Sequence, residues 1–228
     1  MILSASWDGR DLVSYIPHGY VISGSFTYAG GFLGGLSNYN KLTLSGSVYR
    51  GIHKFVTEED ERGKDLILGF SSEVDFMFKQ YWKIDNKYDW YDPTRGATKY
   101  EMLYLDGMNI GRGFNVVYDQ AFLWHNQIDL TYPLVEDILS LEGFVSATGV
   151  QTDLNKVNGL DSINWYLAAG AGIKMEIPGF PLGLYLVKNA KIVDDNNMKW
   201  KWQSGSLFSN NREGSGMSLV LAITTSIY

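Results

Sequence analysis

Cysteine is absent from the 228-residue chain. Its absence removes a disulfide framework, a thiol nucleophile and a thiolate zinc site. Histidine is nearly absent as well: three scattered residues do not make a His-rich metal centre. Charge is scarce, at 19% of residues where about a quarter is usual. The net charge is -6 and no basic tract occurs, so the chain does not look like a nucleic-acid binder. No run reaches the roughly eighteen apolar residues that a membrane-crossing helix requires. The first residues, Met1 to Asp8, hold no basic stretch and no signal-peptide core. The expectation is therefore either a cytosolic protein or a chain whose natural leader lies upstream. What is present points elsewhere than disorder: 14% aromatic and 45% hydrophobic residues can build a core. Glycine (25), tyrosine (15) and tryptophan (7) stand out. Much glycine and amphipathic aromatic with little charge is the make-up of a β-rich protein with one apolar and one polar face.

The patterning agrees, because its period is 2 almost everywhere. Leu66, Leu68, Phe70, Val74 and Phe76 alternate with Gly69, Ser71, Glu73 and Asp75. Phe122, Trp124, Ile128 and Leu130 alternate with His125, Gln127 and Asp129, and Ile163, Trp165, Leu167 and Ile173 with Asn164, Tyr166 and Lys174. Successive strand side chains point to opposite faces, so each run has an apolar and a polar side. Nine strands are expected: Ile2–Asp8, Tyr20–Tyr28, Lys41–Arg50, Asp65–Lys79, Gln120–Tyr132, Ile138–Ala147, Ser162–Ile177, Gly183–Ala190 and Met217–Tyr228. Several are far longer than the five or six residues (about) of a soluble strand. A strand crossing a bilayer needs roughly nine to eleven, and in lipid only closed sheets satisfy the backbone.

Connections alternate in character. Short Pro/Gly turns at Tyr15–Gly19, Tyr132–Leu134 and Ile177–Pro181 contrast with long polar segments at Gly30–Asn40, Gln80–Asn115, Gly149–Asp161 and Lys191–Gly216. That asymmetry is typical of outer-membrane barrels. The charged stretch His53–Lys64 is the exception, a longer connection on the short-turn side. A soluble lipocalin-like barrel or a sandwich also alternates, so pattern alone leaves both readings open. The apolar faces are expected to carry Leu66, Leu68, Phe70, Val74, Phe122, Trp124, Ile128, Trp165, Leu167 and Ile173 outward. Ser71, Glu73, Asp75, Gln127, Asp129, Glu142, Lys174 and Glu176 are expected inward.

The long segment between the fourth and fifth strands contains Leu105-Asp106-Gly107-Met108-Asn109-Ile110-Gly111-Arg112-Gly113-Phe114. This resembles the loop-six signature of the Omp85 superfamily, an Arg-Gly-Phe core with a Gly-rich approach. Ile177-Pro178-Gly179-Phe180-Pro181-Leu182-Gly183-Leu184 is similar to the periplasmic turn before the penultimate strand of BamA-like proteins, and Ile16-Pro17-His18-Gly19-Tyr20 to a Pro-x-Gly turn several strands earlier. The order of these elements matches along the whole chain.

The resemblance implies that residues 1–228 are the C-terminal portion of an antiparallel, sixteen-stranded transmembrane β-barrel, about eight or nine strands of it, with no POTRA domain in this chain. It implies a bacterial outer-membrane protein assembly factor that folds and inserts other barrels. Outer-membrane lipids, unfolded β-barrel clients and accessory assembly lipoproteins would be its partners, and no cofactor would be used. A passive outer-membrane barrel, a small pore or surface anchor, is the alternative. With half a barrel, open strand edges invite self-association or curling into a smaller closed barrel; the closed barrel is the expectation.

Site residues follow from the motif. Ile110, Gly111, Arg112, Gly113 and Phe114 form its core. Gly111 and Gly113 permit close packing or positive φ beside Arg112, whose planar five-donor fork suits a carboxylate. The resemblance makes the strand Leu141–Gly149 the receptor. Its aromatic (Phe144) and glycine are present but the family's usual Asp is not. On alternation Glu142 shares the inward side with Phe144, Ser146 and Thr148, so Glu142 is the expected partner of Arg112. The last strand resembles the family's terminal recognition signal, with Ile223, Ile227 and the aromatic Tyr228, although an internal glycine is missing. Nothing points to an enzyme or a metal site. Glu73 and Asp75 read as polar barrel interior, Asp194-Asp195-Asn196-Asn197 as a polar loop, and Asp89–Pro93 as an aromatic surface element.

Overall fold

The computed structural model describes residues 1–11, 18–33, 37–57, 60–79, 91–92, 97–98, 100–135, 138–177, 180–194, 200–203 and 217–223. The terminal-signal residues Ile227 and Tyr228, the acidic run Asp195–Asn197, the turn residues Ile16, Pro17, Pro178 and Gly179, and Asp89, Trp90 and Pro93 lie outside these.

Alternating sequence becomes antiparallel strand. In chain order these are β1 (Ile2–Asp8), β2 (Gly19–Ala29), β3 (Tyr39–Thr57), β4 (Asp60–Lys79), β5 (Tyr91–Asp92), β6 (Ala97–Thr98), β7 (Leu103–Leu105), β8 (Val117–Gln120), β9 (Phe122–Val135), β10 (Leu139–Gln151), β11 (Asn164–Ile177), β12 (Phe180–Asp194), β13 (Trp200–Gln203) and β14 (Met217–Ile223). Ten of them form one sheet in the order β1-β2-β3-β4-β9-β10-β11-β12-β13, with β14 also on β12. Helix among the described residues is confined to 3-10 turns at Gly31–Leu33, Leu154–Lys156 and Leu160–Ser162. None is long and apolar enough to cross a membrane.

Each of the nine expected strands is found, the last described only over Met217–Ile223, and most of them are longer than their patterning suggested. A tenth, β13, lies within Lys191–Gly216, which was expected to be a loop. His53–Lys64 departs from expectation: its described residues, up to Thr57 and from Asp60, continue the β3–β4 hairpin. Lys54 pairs with Asp65, Phe55 with Lys64 and Thr57 with Asp60. Bulges between Gly51 and His53 and between Phe55 and Thr57 absorb the irregular pattern that masked the strand. The extension is held from the side, by Phe55 edge-on to Tyr132 at 5.3 Å and by the Lys64 ammonium on the Leu134 carbonyl.

The sheet is not a closed barrel, so the expectation of a smaller closed barrel is corrected. Among the described residues β1 pairs only with β2, and β14 only with β12. The polar face over β9–β12 is already filled by side chains of the segment after β6. Closing β1 onto β14 around a narrower circumference would have to expel that filling. Residues of β1 are exposed on both faces.

Outward and inward faces separate as the alternation requires. Leu68, Phe70, Ile128 and Ile173 are exposed, while Asp75, Glu142, Ser146 and Thr148 on the opposite face are buried. Inward polar groups find partners: Thr43 Oγ1 donates to Asp75, Lys41 Nζ lies 3.4 Å from the same carboxylate, and His125 Nδ1 is 2.7 Å from Thr148 Oγ1. Two outward residues are corrected. Phe122 and Trp165 have the expected parity, yet both are buried in an outer-face cluster with Ile163. The 3-10 turn residue Leu154, Val157 and neighbouring Val74, Phe76, Trp124 and Ile192 fold over them. The Trp165 indole is pinned by a 3.1 Å bond to the Leu160 carbonyl. Glu176 belongs to β11, but its side chain is outside those described.

Candidate functional site

The segment between β4 and β9 enters the sheet's polar face at the end where Phe76 pairs with Phe122. The short β7–β8 hairpin, with Leu103 opposite Gln120 and Leu105 opposite Val117, carries it inward. Met102, Leu103 and Leu105 are buried with Met77, Leu123 and Val150 of the sheet. Burial of these side chains fixes the hairpin, at about 1.5–3 kcal/mol for each large apolar group.

The tip is shaped by one carboxylate. Asp106 Oδ1 accepts the backbone N–H groups of Met108, Asn109 and Ile110 at 2.9, 2.8 and 2.8 Å. Three successive amides aimed at one oxygen make a tight nest, and the backbone bond from Gly113 N to Gly107 O (2.9 Å) closes the turn behind it. Gly111 takes φ +68°, and a Cβ there would meet Leu105 Cδ2 at 2.3 Å. Gly113 takes φ +82° with Asn189 2.8 Å from the Cβ position. Both positions demand glycine for conformation and for space.

Between these glycines Arg112 turns into the sheet. Its Nη1 donates to Glu142 Oε1 at 3.0 Å, with side-chain exposures of 6% and 7%. The guanidinium carbon lies 4.4 Å from the centroid of Phe144 and 4.3 Å from that of Tyr185. The two rings are perpendicular, 5.6 Å apart, and both are buried. Asn189 Nδ2 donates to the Arg112 carbonyl at 2.9 Å, so backbone as well as side chain is held. Phe114 is buried and meets Tyr166 edge-on at 5.0 Å. Ile110 packs on the cluster around Leu105.

The structure thus brings together Ile110, Gly111, Arg112, Gly113, Phe114, Glu142 and Phe144. Ile223, the described residue of the terminal-strand set, pairs with Leu182 and turns its side chain outward, 51% exposed. Sequence reading missed Asp106, Tyr185 and Asn189. Asp106 carried a usable signal, an Asp-Gly step ahead of a turn. Tyr185 and Asn189 carried only an inward parity on β12. Among the described residues no group of His, Asp and Glu is placed to hold a metal ion.

The arrangement is mechanical: a planar cation held against two rings and one carboxylate, with its backbone carbonyl on the Asn189 amide, ties an inserted segment to β10 and β12. Compared with family models, curated proteins and solved structures, the chain matches none.

Proposed function

We propose that this chain is barrel wall from an Omp85-type outer-membrane protein assembly factor, and that it helps fold and insert other β-barrels in the bacterial outer membrane. The observation that carries the reading is Arg112 of the Gly111-Arg112-Gly113-Phe114 motif, seated on Glu142 between Phe144 and Tyr185 on the polar face of a sheet of long strands. The apolar opposite face, with Leu68, Phe70, Ile128, Val145, Leu186 and Leu219 exposed, suits a bilayer: apolar groups meet hydrocarbon while the ladder satisfies the backbone. Glu142 supplies the carboxylate in place of the Asp that the resemblance leads one to expect.

In this reading the work uses neither nucleotide nor covalent intermediate. A strand edge offers unpaired N–H and C=O groups that template an incoming client strand by β-augmentation. The seated loop holds β10 and β12 in shape, so that the neighbouring β14 edge is presented in a fixed position. The client is an unfolded outer-membrane β-barrel, and lipids and accessory lipoproteins are the surroundings in which the parent protein acts.

The test reconstitutes the chain in lipid vesicles and times the folding of an unfolded client barrel by its shift in gel mobility without heating. Faster client folding with the wild-type chain, and less acceleration with Arg112→Ala, is the expected result. Ion conductance without any acceleration of client folding would replace the reading by a passive pore.

A further inference from the structure

The inserted tip touches more than β10 and β12. Asn109 Nδ2 donates to the backbone carbonyl of Ile223 at 3.2 Å, across 114 positions of sequence. Ile223 closes the described part of β14, the strand that pairs only with β12 among the described residues, through Leu182–Lys188. The level is set by the depth of the tip. Glu142, which receives Arg112, stands near the Leu139 end of β10, and Leu182 near the Phe180 end of β12, both at the short-turn side of the sheet. Asn109 itself has little freedom there. Its own N–H is one of the three collected by Asp106 Oδ1, and Ile110 beside it packs on the cluster around Leu105.

Three anchors therefore leave one short stretch of chain: Arg112 to Glu142 of β10, the Arg112 carbonyl to Asn189 of β12, and Asn109 to Ile223 of β14. We infer that Asn109 is a latch that couples the seat of the inserted loop to the edge strand β14. With the loop seated, the Ile223 end of β14 has a second tie besides its ladder to β12. With the loop unseated, the ladder to β12 is the tie that remains to that end among the described residues, and that end loosens first. The coupling follows from the contacts; its use, to make the β14 edge available to a client strand only when the loop shifts, rests on the function proposed above. The nest at Asp106 makes the latch directional, because the amide of Asn109 cannot follow β14 without breaking charge-assisted bonds.

Hydrogen exchange of the full chain in detergent micelles, read by mass spectrometry on the Met217–Ile223 peptide, tests the latch. Asn109→Ala is expected to speed exchange in β14 roughly five-fold, the factor for one neutral hydrogen bond, and to leave β11 unchanged. Asn109→Asp keeps the size of the side chain but cannot donate, so it should act in the same direction even where Ala disturbs folding. Wild-type exchange in β14 for both variants would overturn the inference. So would equal acceleration across β11 and β14, which would mean general loosening. Client folding is a separate readout: faster β14 exchange in a chain that never accelerates a client leaves the latch standing and removes the insertase reading.

Discussion

Removing Arg112 is the most informative perturbation, because its surroundings allow the cost to be worked out. The guanidinium makes a charged hydrogen bond to Glu142 at 3.0 Å in a site where both side chains are nearly inaccessible. A hydrogen bond to a charged group contributes about 1.5–3 kcal/mol. Contact with Phe144 and Tyr185 adds about 0.5–2 kcal/mol for each ring. Arg112→Ala also leaves Glu142 buried without its cation, and breaking a buried pair from one side costs about 3–5 kcal/mol in all. That total already contains the lost bond and must not be added to it. Arg112→Lys keeps the charge but loses the planar fork that lies against two rings, so it should fall between wild type and Ala. Glu142→Gln retains an acceptor and should cost less than Arg112→Ala. The assay is urea unfolding of the chain in lipid vesicles followed by tryptophan fluorescence, for the three single variants and for Arg112→Ala combined with Glu142→Gln. The expected coupling between positions 112 and 142 is about 1.5–3 kcal/mol. Additivity to within about 0.5 kcal/mol would refute the pairing. Full recovery with Arg112→Lys would refute the role of the rings.

Two further outcomes are expected. Gly111→Ala must relieve a 2.3 Å approach to Leu105 and adopt φ +68°, so it should destabilise the chain by about 1–3 kcal/mol in the same unfolding assay; an unchanged midpoint would mean that the turn is not packed against β7. Single cysteines, introduced without interference from native thiols, should be quenched by lipid-borne probes at Leu68, Val145 and Leu219 and protected from them at Ser146 and Thr148. The opposite pattern would reverse the faces of the sheet.

Period-2 alternation was enough to determine that the chain is all-β, nine of the ten strands of its sheet, and which side chains share a face, since successive side chains on a pleated strand point to opposite sides. The tenth strand, β13, lies in Lys191–Gly216, whose composition reads as a polar connection. Arg112 and its receptor strand came from the resemblance of Gly111-Arg112-Gly113-Phe114 to the loop-six signature, and parity on that strand then pointed to Glu142. What alternation cannot carry is the third dimension. Phe122 and Trp165 have outward parity but are covered by the turns around Leu154 and Val157, a contact between segments that no local pattern encodes. The β3–β4 extension was hidden because bulges break the period while the ladder continues. Tyr185 and Asn189 could be placed inward but not against Arg112, because their meeting depends on how far the inserted segment reaches. Depth also decides that Asn109 arrives at Ile223 and that the sheet stays open around its filling. Sequence thus determined the strands and their faces, which are local and periodic. The tertiary structure decided insertion, closure and the anchors of the tip, which depend on contacts between residues many tens of positions apart.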